Sequence, residues 1–155
     1  HPTFLMSLLK SRIQDDMKAA MRAGEKERLV TIRMLLAAIK QREVDERTET
    51  TDTAVLQILE KLIKQRRESA TQFAAGKRPD LEAKELGEIA LLQAYLPAAL
   101  SPAELDALIR DVMAATGASS MKDMGKVMAA LREKAQGRAD FGTIGERVKA
   151  LLSGK

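Results

Sequence analysis

Apolar side chains recur along most of this chain every three or four residues, the period of a helix with one buried face. No stretch alternates in the way a strand requires. Leu9, Ile13, Met17 and Met21, joined by Leu5 and Leu8, predict a first helix from about Ser7 to Met21, which Gly24 breaks. A second, from about Glu25 to Val44, carries Leu29, Ile32, Leu35, Leu36 and Ile39 on one face. The polar run Asp45 to Thr51 predicts a loop, and Thr51 or Asp52 can cap the next helix. That third helix has Val55, Ile58, Leu59, Leu62, Ile63 and Phe73 as its apolar face, with Gly76 placed to end it. Pro79 opens a fourth, with Leu81, Leu86, Ile89, Leu92, Tyr95 and Leu96.

Pro97 removes a donor and restricts Leu96, so residues 97–100 predict a linker. Ser101-Pro102-Ala103-Glu104 then supplies a capping box with proline in the first helical position. The fifth helix uses Leu105, Leu108, Ile109, Val112 and Met113 and stops at Gly117. A sixth starts at Ser119 or Ser120, buries Met124, Val127, Met128 and Leu131, and stops near Gly137; a seventh, from near Asp140, carries Ile144, Val148, Leu151 and Leu152. The fold class is therefore all-α: a four-helix N-terminal unit over 6–96 and a three-helix domain over 101–155. Residues 1–5 read as a remnant ahead of a natural start at Met6. The second unit is close to the lower size limit for independent folding.

Composition narrows the chemistry. Aromatics make up 3%, so the core is built from Leu, Ile, Val, Met and Ala. There is no cysteine, which removes disulfides, thiol catalysis and cysteine-bound metal. The one histidine is His1, inside the remnant. Acids are scattered among bases, without a pair tuned for proton transfer or a cluster fit for a metal. No catalytic residue, metal or cofactor is expected. No apolar run reaches the roughly 20 residues that span a bilayer, and no signal-peptide pattern is present, so no membrane partner and a cytoplasmic location are expected.

Charge points to a partner. The chain carries a net +4. Residues 119–155 hold eight bases against four acids, a surplus equal to that total. Lys122, Lys126, Arg132, Lys134, Arg138, Arg147 and Lys149 are the candidate phosphate contacts, with Lys155 in the same count. A solvated face is the bland alternative. A second basic cluster contains Lys64, Arg67, Lys77 and Arg78, flanked by Lys61 and Arg66 and diluted by Glu60 and Glu68; there the solvated reading leads. Arg33, in an apolar run, is expected to pair with a buried acid such as Glu85 or Glu88.

Three further features read as structural. Gly125-Lys126-Val127-Met128 lacks the rest of a phosphate-binding loop, so Val127 and Met128 read as core and Gly125 as permitting close helix packing. Ser119-Ser120 is similar to the serine pair of amidase signatures but lacks a partner lysine and an oxyanion hole. With Asp123 three residues beyond Ser120, it reads as a cap. The methionines read as flexible core filler.

Five segments taken together resemble the GatB/YqeY family. They are Ile32-Arg33-Met34-Leu35; Lys64-Gln65-Arg66-Arg67-Glu68-Ser69; Tyr95-Leu96-Pro97 with Leu100-Ser101 and Glu104-Leu105; Gly125-Lys126-Val127-Met128; and Gly137-Arg138-Ala139-Asp140. The resemblance runs from Met6 to the C-terminus and rests on the order and spacing of these segments. It implies an all-helical bundle followed by a small three-helix domain. It also implies kinship with the tail of the GatB subunit of the glutamine-dependent Asp-tRNA/Glu-tRNA amidotransferase, which contacts the tRNA elbow while the chemistry lies elsewhere. The expected function is a non-catalytic accessory module that binds structured RNA, tRNA above all, by shape and phosphate contacts. The alternative is an adaptor with a protein partner. Lowest stands a carbon–nitrogen ligase using glutamine as amido donor, which rests on the family label alone.

Overall fold

The computed structural model describes residues 7–153. Expectations placed on residues 1–6 and on Lys155 lie outside them. The described residues form seven α-helices and no strand. The chain divides into a unit ending at Leu96 and a unit beginning at Pro97.

The first unit holds α1 (Leu8–Ala23), α2 (Lys26–Glu46), α3 (Asp52–Ala75) and α4 (Pro79–Gln93). Their faces meet in one core of Ile13, Ile32, Leu35, Ile39, Val55, Leu59, Ile63, Ile89 and Leu92, closed at one end by Tyr95. The most extensive packing is between α3 and α4. Leu8, Met21 and Leu86 are exposed instead of buried. Each four-residue step turns a helix about 400°, so a four-residue series drifts round the axis. By Met21 the series anchored at Ile13 has left the core, and Ala20 is buried in its place. Leu86 lies about 120° round α4 from Leu92 at 100° per residue.

Polar side chains fasten the helix ends. The Ser7 hydroxyl accepts from Lys10 N–H at 2.9 Å and donates to Asp52, which also accepts from Leu9 N–H at 3.1 Å. One carboxylate thus joins the positive ends of α1 and α3. Glu43 takes the Lys10 ammonium at 2.8 Å and both the N–H and hydroxyl of Thr50 at 3.0 Å. Nearer the middle of α1, the Tyr95 hydroxyl donates to Asp16 at 2.5 Å, and the Arg12 guanidinium stands 4.9 Å over the Tyr95 ring.

Two expectations in this unit are corrected. Arg33 is exposed. The half-buried ion pair belongs to Arg66, whose Nε meets Glu88 at 3.0 Å and whose Nη2 contacts Met34 Sδ. Arg66 comes from the face of α3 that packs on α4, whereas Arg33 lies about 160° from Leu35 on α2 at 100° per residue. Gly76 keeps φ at −82°, and Lys77 takes the left-handed position at φ 58°. The reason is hydrogen-bond register: Arg78 N–H bonds Phe73 O and Lys77 N–H bonds Ala74 O, the pattern that needs its left-handed residue at 77. The second helix also runs to Glu46, so the loop is shorter than the polar run implies.

The second unit holds α5 (Pro102–Thr116), a 3₁₀ turn (Met121–Asp123), α6 (Met124–Ala135) and α7 (Phe141–Leu152). Each helix contributes three buried residues: Leu105, Ile109 and Val112; Val127, Leu131 and Ala135; Ile144, Val148 and Leu152. Leu151 is exposed, because neighbours on a helix diverge by about 100° and Leu152 takes the inward position. The Ser101–Glu104 capping box forms, with reciprocal bonds of 2.9 and 3.1 Å, and Gly117 ends α5 at φ 68°. Residues 97–100 belong to this unit, since Leu100 packs on its core and bonds Arg138 O at 2.8 Å.

Candidate nucleic-acid interface

The seven candidate cations sit on the turn before α6, on α6, on the turn after it and on α7. They do not converge on one face. Lys126 Nζ lies 3.4 Å from Thr116 O at the end of α5. Lys134 lines a groove of about 240 Å³ between α5 and α6, with Leu108, Asp111 and Ala115 on the other wall. Arg132 points the other way, its guanidinium 5.9 Å over the Phe141 ring of α7. Arg147 reaches α5, where it pairs with Asp106.

Intramolecular partners divide the set further. Asp123 lies 3.6 Å from Lys126, but this is a pair three residues apart with the lysine 56% exposed, a geometry worth little. The Asp123 carboxylate is engaged first by the Ser119 and Ser120 N–H groups, at 2.9 and 3.3 Å, which hold its pKa below the ordinary value. The serine pair is thus part of the turn that starts α6. Arg138 is half-buried and donates to Ala98 O at 2.9 Å while its own carbonyl accepts from Leu100. It pins residues 98–100 to the turn after α6. Lys122, Arg132, Lys134 and Lys149 are exposed and have no carboxylate at ion-pair distance among the described residues.

Counting by unit alters the picture of charge. Residues 97–155 hold nine bases and seven acids, because α5 adds Glu104, Asp106 and Asp111 against Arg110. Residues 1–96 hold seventeen and fifteen. Each unit therefore carries a surplus of two, and the concentration seen from 119 onward is offset by the helix packed beside it.

The second cluster lies on α3 and the turn after it. Lys64 and Arg67 are exposed, Lys77 fills the left-handed turn position, and Arg78 is held in a fork by Asp80 at 3.0 and 3.1 Å. Arg78 is the first cause of the lowered Asp80 pKa. Gly125 is exposed, with open space where a Cβ would stand, so it serves no close helix approach. Among the described residues no group of three or more acids or histidines is placed to hold a metal ion, and no helix is long and apolar enough to cross a membrane.

The model of the Yqey-like protein family matches residues 10–152, all seven helices apart from the first two residues of α1. This chain belongs to that family. Its curated relatives include three fungal proteins named altered inheritance of mitochondria protein 41, mitochondrial. The Kluyveromyces lactis protein is 39% identical over 105 residues, covering 65% of this chain and 56% of its own length. The Eremothecium gossypii protein is 43% identical over 89 residues, 57% and 49% respectively. A Saccharomyces cerevisiae protein is 37% identical over 105 residues, 67% and 55%. The chain spans about half the length of the curated relatives it matches. For a Yqey-like chain, Arg138 and Arg147 are the residues whose intramolecular partners the sequence alone does not display, since the carbonyl and the carboxylate that engage them lie some 40 residues away.

Proposed function

We propose that the second unit docks on structured RNA through fewer cations than its sequence offers: Lys126 and Lys134 beside the α5/α6 groove, with Lys122 at the head of α6. The observation that carries this reading is that Lys122 and Lys134 are exposed with no acid at ion-pair distance among the described residues, while Lys126 has only a weak partner. Lys126 and Lys134 are eight residues apart, about 12 Å along the axis, so they can meet separate phosphates of one strand. Arg132 and Lys149 give supporting charge; Arg138 and Arg147 are structural. The family's kinship with the tail of the amidotransferase subunit supports tRNA as the RNA class. The low aromatic content supports reading of shape and backbone over stacking on bases. The module acts without chemistry of its own, as an accessory. Its setting is a reducing compartment, the cytoplasm or, as the names of the fungal relatives have it for those proteins, the mitochondrion.

The test is charge reversal. Lys122→Glu, Lys126→Glu and Lys134→Glu combined should weaken binding of purified tRNA by about a hundredfold or more, with the helical circular-dichroism signal unchanged. Unaltered tRNA affinity in that variant removes the reading. Recovery of a protein partner that withstands nuclease and salt would favour the adaptor instead.

A further inference from the structure

Helix α2 is apolar on two faces, and the core of the first unit uses one. Inward lie Ile32, Leu35 and Ile39. Outward lie Val30, 65% exposed, and Val44, 59% exposed, with the exposed Ala37 midway between them. Lys26, Arg33 and Lys40 follow the same seven-residue step and are all exposed. Interleaved, the six positions run 26, 30, 33, 37, 40 and 44. That is the alternating four-and-three spacing of a coiled-coil seam, with small apolar residues in one core position and cations in the other. At 100° per residue they share an arc of about 80° over about 27 Å of helix. Valine is a poorer helix former than alanine or lysine, so the helix gains nothing from it on a solvated face.

The stripe contains no acid, and the acids around it have other partners. On α2 itself, Glu27 lies about 100° round the axis from Lys26. Glu43 is bound by Lys10 and Thr50, Asp45 by Gln41 and Glu46 by Arg42. Glu25 is paired with Arg28, and Asp16 of α1 takes the Tyr95 hydroxyl. A groove of about 670 Å³ between α2 and α4 adjoins the first half of the stripe. In it, Asp80 is held by Arg78 and Glu88 by Arg66, while Lys84 is exposed. Lys26, Arg33 and Lys40 have no carboxylate at ion-pair distance among the described residues.

We infer that this stripe is a docking face for one acidic amphipathic helix of a partner protein. The helix lies along α2, its apolar residues on Val30, Ala37 and Val44 and its carboxylates on Lys26, Arg33 and Lys40. Charge complementarity selects an acidic partner. The 3.5-residue repeat selects a helix, the element that presents side chains at that period. The valines separate this partner from RNA, whose phosphate backbone gains nothing from them. A membrane surface needs large apolar side chains sunk about 5–10 Å into the lipid boundary, which Val, Ala and Val do not supply. A second copy docked by the same face would set cation on cation. The site lies in the first unit and is independent of the RNA reading. Its ion pairs weaken with salt, unlike the salt-resistant partner that would favour the adaptor.

The probe is a fluorescein-labelled, three-heptad helical peptide with leucine at the first and glutamate at the fourth position of each heptad. It is titrated with the full chain at low salt and followed by anisotropy. Two controls are run beside it: a scramble of the same composition, and the peptide with glutamine for glutamate. The expected result is saturable binding at least about tenfold tighter than that of either control. Arg33→Glu with Lys40→Glu should weaken it by about tenfold or more, and Val30→Ser with Val44→Ser by about fivefold, both with helicity unchanged. Lys122→Glu, Lys126→Glu and Lys134→Glu combined should leave peptide affinity within about twofold, since those sites lie in the other unit. No saturable binding, equal binding of a control, or full affinity in either first-unit variant would each overturn the inference. So would a loss of more than about tenfold in tRNA affinity in the Arg33/Lys40 variant, which would assign those cations to RNA. Binding of the unmodified chain to phosphatidylserine vesicles that this variant abolishes would overturn it in favour of a membrane.

Discussion

Glu43 ties the start of α1 to the residues before α3. Burial raises its pKa, but the Lys10 ammonium and two Thr50 donors outweigh that and hold it below the ordinary glutamate value. A carboxyl depressed on folding adds stability that is present above the unfolded value, about 4.3. That stability is lost as the pH falls through the lower folded-state value. Glu43→Gln should therefore cost about 2 kcal/mol at pH 7 and visibly less near pH 3, measured by urea unfolding at the two pH values. Equal costs at both would show that the charge is not what matters. Arg138 makes a second case. Arg138→Ala removes the bond to Ala98 O and should lower the stability of the second unit by about 1 kcal/mol while leaving tRNA affinity within about twofold. Such roles cannot be read from residue type. An arginine meant for a carbonyl 40 residues away is written like one meant for a phosphate.

Elements were more legible than residues. The capping box at Ser101, proline at the start of α4 and left-handed glycines at 24 and 117 stand where local chemistry puts them. So do most residues of the apolar faces, Leu8, Met21, Leu86 and Leu151 excepted. These features depend on side chains within one or two turns, which the sequence displays directly. What failed needed a neighbour. Gly125 reads as a packing glycine until its open surroundings are seen. Gly125→Ala should stabilise the second unit by about 0.5–1 kcal/mol, since alanine is the better helix former and nothing crowds the site. A lower midpoint in thermal unfolding would contradict this. The small core allows the converse test. Leu131→Ala, fully buried on α6, should cost about 3 kcal/mol, a large share of what about 55 residues can store. The α6 amides should then exchange with solvent much faster.

At the scale of the whole molecule, the two compact units and the all-helical class follow from patterning, and the family from the order of its motifs. The charge reading did not transfer so well. Counting along residues 119–155 omitted the acids of α5, which belong to the same unit. Charge acts in space, so a one-dimensional tally overstates any surface whose neighbour is acidic. The RNA-docking surface we propose is three lysines strong. This makes its salt dependence quantitative: each phosphate contact contributes a slope of about −0.9 in log affinity against log salt. The decisive measurement is tRNA affinity of the unmodified chain at 50 and 200 mM salt. Three contacts predict a fall of roughly fortyfold. A fall of less than about fourfold, the effect of a single contact, or no measurable tRNA binding at 50 mM, would contradict the account.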